Sequence, residues 1–185
     1  MRLNIGCGPV WLRGYLNVDI SPLDVIAESA RCAGKPDTPP AGTAFLQFDL
    51  AERWPWLDNS VEAIIANELL EHLDSPTLTH VLTEAWRVLV PGLSMTGGVP
   101  DYERVFQYYQ EGSDWLWSPA WVTAGPYDTP AENALQNFAH GWGHRQVFTE
   151  RMLRKRLETA GFQVVVTKGE FEGLLFQATK VQEVS

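Results

Sequence analysis

Four short apolar runs fill the first third of the chain, and each stops at a glycine or a polar residue. Arg2–Ile5 runs into Gly6, Tyr15–Asp19 ends on its own acid, Ala44–Phe48 meets Asp49, and Val61–Ala66 gives way to Asn67-Glu68. None of these runs alternates polar and apolar residues, so each reads as a strand covered on both faces. Patterns with a helical period follow. From Thr77 to Val90 the apolar residues Leu78, Val81, Leu82, Ala85, Trp86 and Leu89 make one face, with Ser75 as the expected cap, Pro76 at the first position and Pro91-Gly92 as the stop. A second helix is expected from Thr149 to Ala160, ended by Gly161, followed by two late strands at Phe162–Thr167 and Leu174–Thr179 that pair antiparallel. Strands alternating with helices predict an α/β, Rossmann-like, mostly parallel sheet with helices on both faces and a late antiparallel strand.

In such a sheet, ligands bind beyond the carboxyl ends of the strands, where the strand order switches. The residues at the strand ends are therefore the candidate site. Gly6-Cys7-Gly8 permits a sharp turn and close backbone approach to a ligand, though a plain turn carries the same residues. Asp19 is placed to accept ribose hydroxyls, or else to cap a turn at Ser21-Pro22. Asp49 has the same alternative.

Taken together, LNIGCG, GYLNVDI, FLQFDL, DNSVEAIIANELLEHL, RVLVPG and VPD occur in an order that resembles the class I S-adenosylmethionine-dependent methyltransferases. More narrowly, the chain is similar to small bacterial methyltransferase-domain proteins that open with LNLGCG and GYINVD and continue to LEHL. The likeness covers most of residues 2–104 and returns at HRQVFTERMLRKRLETAGF.

That resemblance implies S-adenosyl-L-methionine as cofactor. Gly6, Cys7 and Gly8 would wrap its methionine portion, and Asp19 with Ile20 would hold the ribose. Asp49 and Leu50 would flank the adenine, while Asn67 and Glu68 would close the pocket. Glu71 and His72 would support it from the start of the next helix. The implied function is methyl transfer to a small-molecule or carbohydrate-like acceptor, in the setting of polysaccharide biosynthesis. The alternative is a non-catalytic, degenerate methyltransferase-fold module for binding or assembly. A dinucleotide-dependent oxidoreductase is disfavoured by the absent third glycine.

The sequence departs from the family pattern in four places, one being Pro91-Gly92-Leu93 where the family has a double glycine after the proline. Only residues 9–18 separate Gly8 from Asp19, and Pro9 and Gly14 interrupt them, so the first crossover helix is reduced to a turn. The expected fifth strand, SMTGGVP, is weakened by two glycines. With strand one expected at Arg2–Ile5, no helix that covers the cofactor is expected before it.

Methyl transfer depends mainly on alignment, with a general base where the acceptor is a hydroxyl. His140 and His144 are the candidate bases, with a hydrogen-bonding loop role as the alternative for each. Asp101 is a third candidate, or a cap for the next helix. No metal is expected: the two histidines are four apart, but Gly141 and Gly143 oppose a helix that would align them. Phe106, Tyr108, Tyr109, Trp115, Trp117, Trp121 and Trp142 crowd one region, read as a small satellite core or as a stacking platform. Arg151, Arg154, Lys155 and Arg156 read as a solvated helix face.

One domain over 1–185 is expected, with an aromatic-rich irregular insertion at about 105–144 and loops at 31–44 and 112–130. A formal charge of −9 argues against a nucleic-acid partner. No apolar run reaches the roughly 20 residues of a membrane span, and MRLNIGCG has no leader-like pattern, so a cytoplasmic protein is expected. Its two cysteines cannot build a disulfide framework. Reduced helical cover over the sheet favours a homodimer.

Overall fold

The computed structural model describes residues 1–32, 34–111, 125–127, 129–169 and 173–182. Seven strands form one sheet: β1 (Arg2–Ile5), β2 (Leu16–Asp19), β3 (Ala44–Gln47), β4 (Ala63–Asn67), β5 (Ser94–Pro100), β6 (Phe162–Lys168) and β7 (Gly173–Lys180). Their spatial order is β3-β2-β1-β4-β5-β7-β6. The first five pair in parallel, and β7 enters antiparallel between β5 and β6. The chain grows outward from β1 on one side and from β4 on the other. The switch in strand order therefore lies between β1 and β4, and the crevice for a ligand opens beyond their carboxyl ends.

Among the described residues the helices are α1 (Leu23–Cys32), α2 (Ser75–Val88), α3 (Tyr102–Glu111), α4 (Pro130–His140) and α5 (Glu150–Thr159), with single 3₁₀ turns at Leu70–His72 and Gly141–Gly143. Buried residues of α2 and α5, among them Leu78, Val81, Leu153 and Leu157, join Ile5, Ile64 and Met95 of the sheet in one core.

No helix connects β1 to β2, as the spacing predicts. A parallel crossover usually takes a dozen residues or more. Two buried asparagines explain how this one is held. The Asn4 amide donates to Asn17 Oδ1 at 2.9 Å and to the Val10 carbonyl at 2.8 Å. Asn17 accepts from Leu12 N and donates to the carbonyls of Leu12 and Ala44. Side-chain amides thus satisfy the loop backbone that a helix would have satisfied internally.

Several expectations need correction. The cap of α2 is Asp74, whose carboxylate accepts from Thr77 N at 2.9 Å, and Ser75 lies inside the helix. β4 starts at Ala63, with Val61 making only an isolated bridge to Leu89. The 31–44 loop begins after Cys32, because α1 runs through it. Helices α3 and α4 occupy much of the range expected to be irregular, while residues 112–124 lie outside the described residues. The two glycines of SMTGGVP do not weaken the fifth strand: β5 is seven residues long and pairs on both edges.

An ionic clamp fastens the β3–β4 connection to α2. Glu84, almost fully buried, accepts from Trp54 N and from Arg87 Nε and Nη2, at 2.7–2.8 Å. Arg87 in turn donates to the carbonyls of Trp54 and Trp56 and to Asp58. Removing one partner of a buried pair leaves the other uncompensated. Glu84→Ala is expected to cost about 3 kcal/mol and to lower Tm by roughly 6–12 °C in thermal unfolding. The hydrogen bonds from Arg87 hold the Glu84 carboxyl below its usual range, outweighing burial. A depressed pKa gives stability that is present above the ordinary carboxylate value and lost as pH falls through the lowered one. The variant should therefore lose less Tm than the parent below about pH 4.

Candidate functional site

The site is assembled at the carboxyl ends of β1, β2, β4 and β5. After β1 the backbone turns left-handed at Gly6 (φ +59°) and again at Gly8 (φ +45°). At Gly6 a side chain would also strike Leu69 Cδ1 at 2.6 Å, because the turn after β4 packs onto this loop. At Gly8 a Cβ would meet nothing within 4 Å, so the space above the loop is open.

Asp19 closes the loop from β2. Its Oδ2 accepts from Gly8 N at 2.8 Å, and its Oδ1 accepts from Ser21 N at 2.9 Å. Each carboxylate oxygen can take a second donor, so the group fixes the glycine loop and still has lone pairs to offer. Ile20 beside it is a large apolar side chain left 61% exposed. Asp49 is exposed and accepts from Ala51 N, as a turn cap does, while Leu50 is buried in the core.

Between the glycines, Cys7 is buried and its thiol is pushed up to about 12, by burial first and then by the negative charge of Asp19. Cys32 is exposed at the end of α1. A thiol-disulfide reagent at pH 8 is expected to modify Cys32 at least about 100-fold faster than Cys7, since the thiolate is the reacting species. Equal rates for the two thiols in the native chain would contradict this placement.

Asn67 ends β4 and is exposed. Glu68 follows at φ +48°, a conformation unusual for a residue with a side chain, and its N–H donates to the Gly98 carbonyl. Its carboxyl group meets that of Glu71, which is only 1% exposed. Burial, and then the charge of Glu68, pushes Glu71 well above the usual carboxylate range. Glu71 and His72 form a 3₁₀ turn separate from α2, so they do not start that helix.

The segment after α4 reaches the same place. Arg145 N and Gln146 N both donate to the Glu71 carbonyl, at 2.7 and 2.9 Å. This brings His144 against His72, with ring centroids 4.8 Å apart. His144 is nearly buried and donates from Nδ1 to the Phe138 carbonyl at 2.8 Å, which leaves Nε2 without a proton in the neutral ring. His72 is lowered by burial and then by His144. His140, the other candidate base, sits exposed at the end of α4 and does not join this cluster. Asp101, 1% exposed, accepts from Glu103 N and Arg104 N at the start of α3, and its Oδ2 lies 3.6 Å from Lys168 Nζ.

Of the rings expected in a satellite core or stacking platform, Trp142 packs edge-on against Phe138 at 5.5 Å and Phe106 stacks with Tyr109 at 6.2 Å. Phe106, Tyr109 and Trp142 are 39–45% exposed, and Tyr108 is half-buried. Trp115, Trp117 and Trp121 lie outside the described residues. The basic run is only partly a solvated face: Arg154 donates to the Val164 carbonyl and Arg156 to Ser75 Oγ. Sequence reasoning missed the buried pair Asn4–Asn17 and the meeting of His72 with His144. The first is visible only as two polar residues inside apolar runs, and the second depends on residues 72 apart in the chain.

A cavity of about 370 Å³ lined by Asp58, Trp86, Arg87, Pro91 and Lys180 lies at the opposite, amino-terminal edge of the parallel strands. That edge is not where α/β sheets of this kind bind ligands.

Comparison with known proteins agrees with this fold. The family described as "Methyltransferase domain" matches residues 3–95. Solved structures share the fold at low identity. A Haloferax volcanii structure, described as a complex between the Trm112 methyltransferase activator and the putative methyltransferase, matches at TM-score 0.63 and 16% identity, covering 97% of this chain and 82% of that one. A Thermotoga maritima SAM-dependent methyltransferase, described as a possible histamine N-methyltransferase, gives 0.56 and 19%, covering 97% and 81%. An S-adenosylmethionine-dependent methyltransferase from Mesorhizobium loti gives 0.60 and 15%, covering 96% and 89%. No curated protein matches the sequence. No helix among the described residues is long and apolar enough to cross a membrane.

Proposed function

The chain belongs to the methyltransferase-domain family, and from that premise we propose that it transfers a methyl group to a small-molecule acceptor bearing a nucleophilic oxygen or nitrogen. S-adenosylmethionine is the cofactor that this membership implies. The residues fit it. Gly6 and Gly8 curve the backbone away from open space, Asp19 offers charged acceptors for a diol, and Ile20 leaves an apolar surface beside them. When bound, the cofactor supplies a methyl group on a positively charged sulfur, already activated for attack.

The chain's own residues hold and orient. Gly6, Cys7 and Gly8 take the methionine portion, Asp19 and Ile20 the ribose, Asp49 the adenine side, and Asn67 with Glu68 the edge nearest β4. His144 Nε2 is the base for an acceptor hydroxyl, kept in the basic tautomer by the Phe138 carbonyl. Asp101 serves mainly to start α3, and the surface position of His140 gives it no part. The exposed rings Phe106 and Tyr109, stacked 6.2 Å apart, favour a flat or carbohydrate-like acceptor of the kind used in polysaccharide synthesis. The observation that carries the reading is the Asp19–Gly8 hydrogen bond, which couples the diol acceptor to the glycine loop.

A second reading, a non-catalytic assembly module, is favoured by the helix-free connection between β1 and β2. The two are separated by incubating the chain with labelled S-adenosylmethionine and a panel of sugars, phenols, carboxylic acids and amines. Transfer to at least one acceptor, with kcat reduced at least about 100-fold in His144→Ala, is the expected result. Tight cofactor binding without transfer to any acceptor would support the module instead.

A further inference from the structure

The geometry points to a divalent transition-metal site formed by Glu71, His72 and His144. One carboxylate oxygen of Glu71 and one ring nitrogen from each histidine all lie within 4.8 Å of one another. Three observations single this cluster out from an ordinary polar contact. First, both carboxylate oxygens of Glu71 are buried and neither receives a hydrogen bond from a protein donor. Its polar neighbours are His72, with Nε2 at 3.9 Å from Oε1, and the carboxyl group of Glu68, which brings a second negative charge. Among the described residues no lysine or arginine forms an ion pair with Glu71. Buried carboxylates are normally paired or bound to a metal.

Second, the His144 imidazole is held from behind, donating its Nδ1 proton to the Phe138 carbonyl, and the His72 ring packs edge-on against it. Metal-ligating histidines are oriented in this way, with the remaining nitrogen presenting its lone pair. Third, the backbone is committed to the juxtaposition. Trp142 adopts φ +54° and Gly143 φ +80°, and the two hydrogen bonds to the Glu71 carbonyl lock the histidine segment to the 3₁₀ turn.

Two imidazoles and a carboxylate suit zinc and its neighbours in the first transition row better than magnesium or calcium. Ligands about 2.1 Å from a tetrahedral ion stand roughly 3.4 Å apart, so small ring rotations complete the set. With the ion bound, His144 Nε2 is a ligand and no longer the base; an open position on the ion would take the acceptor oxygen and acidify it in place of that base, which narrows the acceptor class to oxygen donors. Only that last step rests on the methyltransferase reading.

The test uses the full chain stripped with a chelator and titrated with Zn²⁺ by calorimetry and with Co²⁺ by visible absorption. One equivalent per chain, at micromolar affinity or tighter, and a Co²⁺ d–d band distinct from the free ion are expected. His144→Ala and Glu71→Gln should each lose at least about 100-fold in affinity, and His80→Ala, on the surface of α2, should lose none. If Glu71→Gln does not fold, the cobalt spectrum of the parent and the His144→Ala titration decide. Absence of binding, or binding unchanged in His144→Ala, overturns the site. S-adenosylhomocysteine binding measured on the same stripped sample separates this failure from failure of the methyltransferase reading.

Discussion

Replacing Asp19 by asparagine is expected to weaken S-adenosylhomocysteine binding at least about 100-fold while leaving the fold intact. The carboxylate accepts two backbone N–H groups, from Gly8 and Ser21. An amide has one acceptor oxygen, so one of those donors would face an NH₂ group. Whichever orientation is adopted, either the glycine loop loses its tie or the Ser21 turn does. The diol loses a charged acceptor at the same time, and charge-assisted hydrogen bonds are worth about 1.5–3 kcal/mol. A loss near 2.7 kcal/mol corresponds to a factor of about 100. Calorimetry on the variant measures the affinity, and thermal unfolding checks that the loss is local. Unchanged affinity would remove Asp19 from the site.

Gly97→Ala is expected to be the most damaging single methyl group that can be added to the sheet. A Cβ there would lie 2.0 Å from the Ala66 carbonyl oxygen and 2.8 Å from Phe176 Cζ. The first obstacle is backbone of the paired strand β4 and the second a ring buried in the core, so neither can yield cheaply. Overpacking a core commonly costs 1–3 kcal/mol, and a clash with backbone in a central strand exceeds that range. The variant should lose at least about 4 kcal/mol, a fall in Tm of roughly 8–16 °C, or fail to fold. Gly98→Ala is the control, because its Cβ would meet Leu175 Cδ2 at 3.3 Å, the end of a flexible side chain. Equal stability of the two variants would contradict the packing described for β5.

These two positions also show what was legible in the sequence. Asp19 was readable because an acid closing an apolar run marks a strand end, and strand ends are where such sheets bind ligands. The succession of strands along the chain follows from the same runs, though not their order in the sheet, and the spacing from Gly8 to Asp19 excludes a helix between them. Gly97 is not legible in this way, since strand propensity counts a glycine as a weakness and has no term for the neighbour that requires it. Helix α1 was overlooked although Pro22 opens it and Ile26 and Ala30 mark its buried side, because the proline-rich stretch that follows overlaps its last turn. Asp74 was passed over as a cap because Ser75-Pro76 offers the same local pattern one residue later. The sequence offers His144 as a base and His72 only as a support of the pocket, and gives no sign that the two rings meet. Their contact is made by tertiary hydrogen bonds to the Glu71 carbonyl, which no local pattern encodes.

The central claim is that the loop from Gly6 to Gly8 and Asp19 together hold an adenosyl cofactor. A calorimetric titration of the purified chain with S-adenosylhomocysteine tests it most directly. The account predicts one site per chain at micromolar affinity, with a matching rise in Tm. No heat of binding and no thermal stabilisation would contradict it.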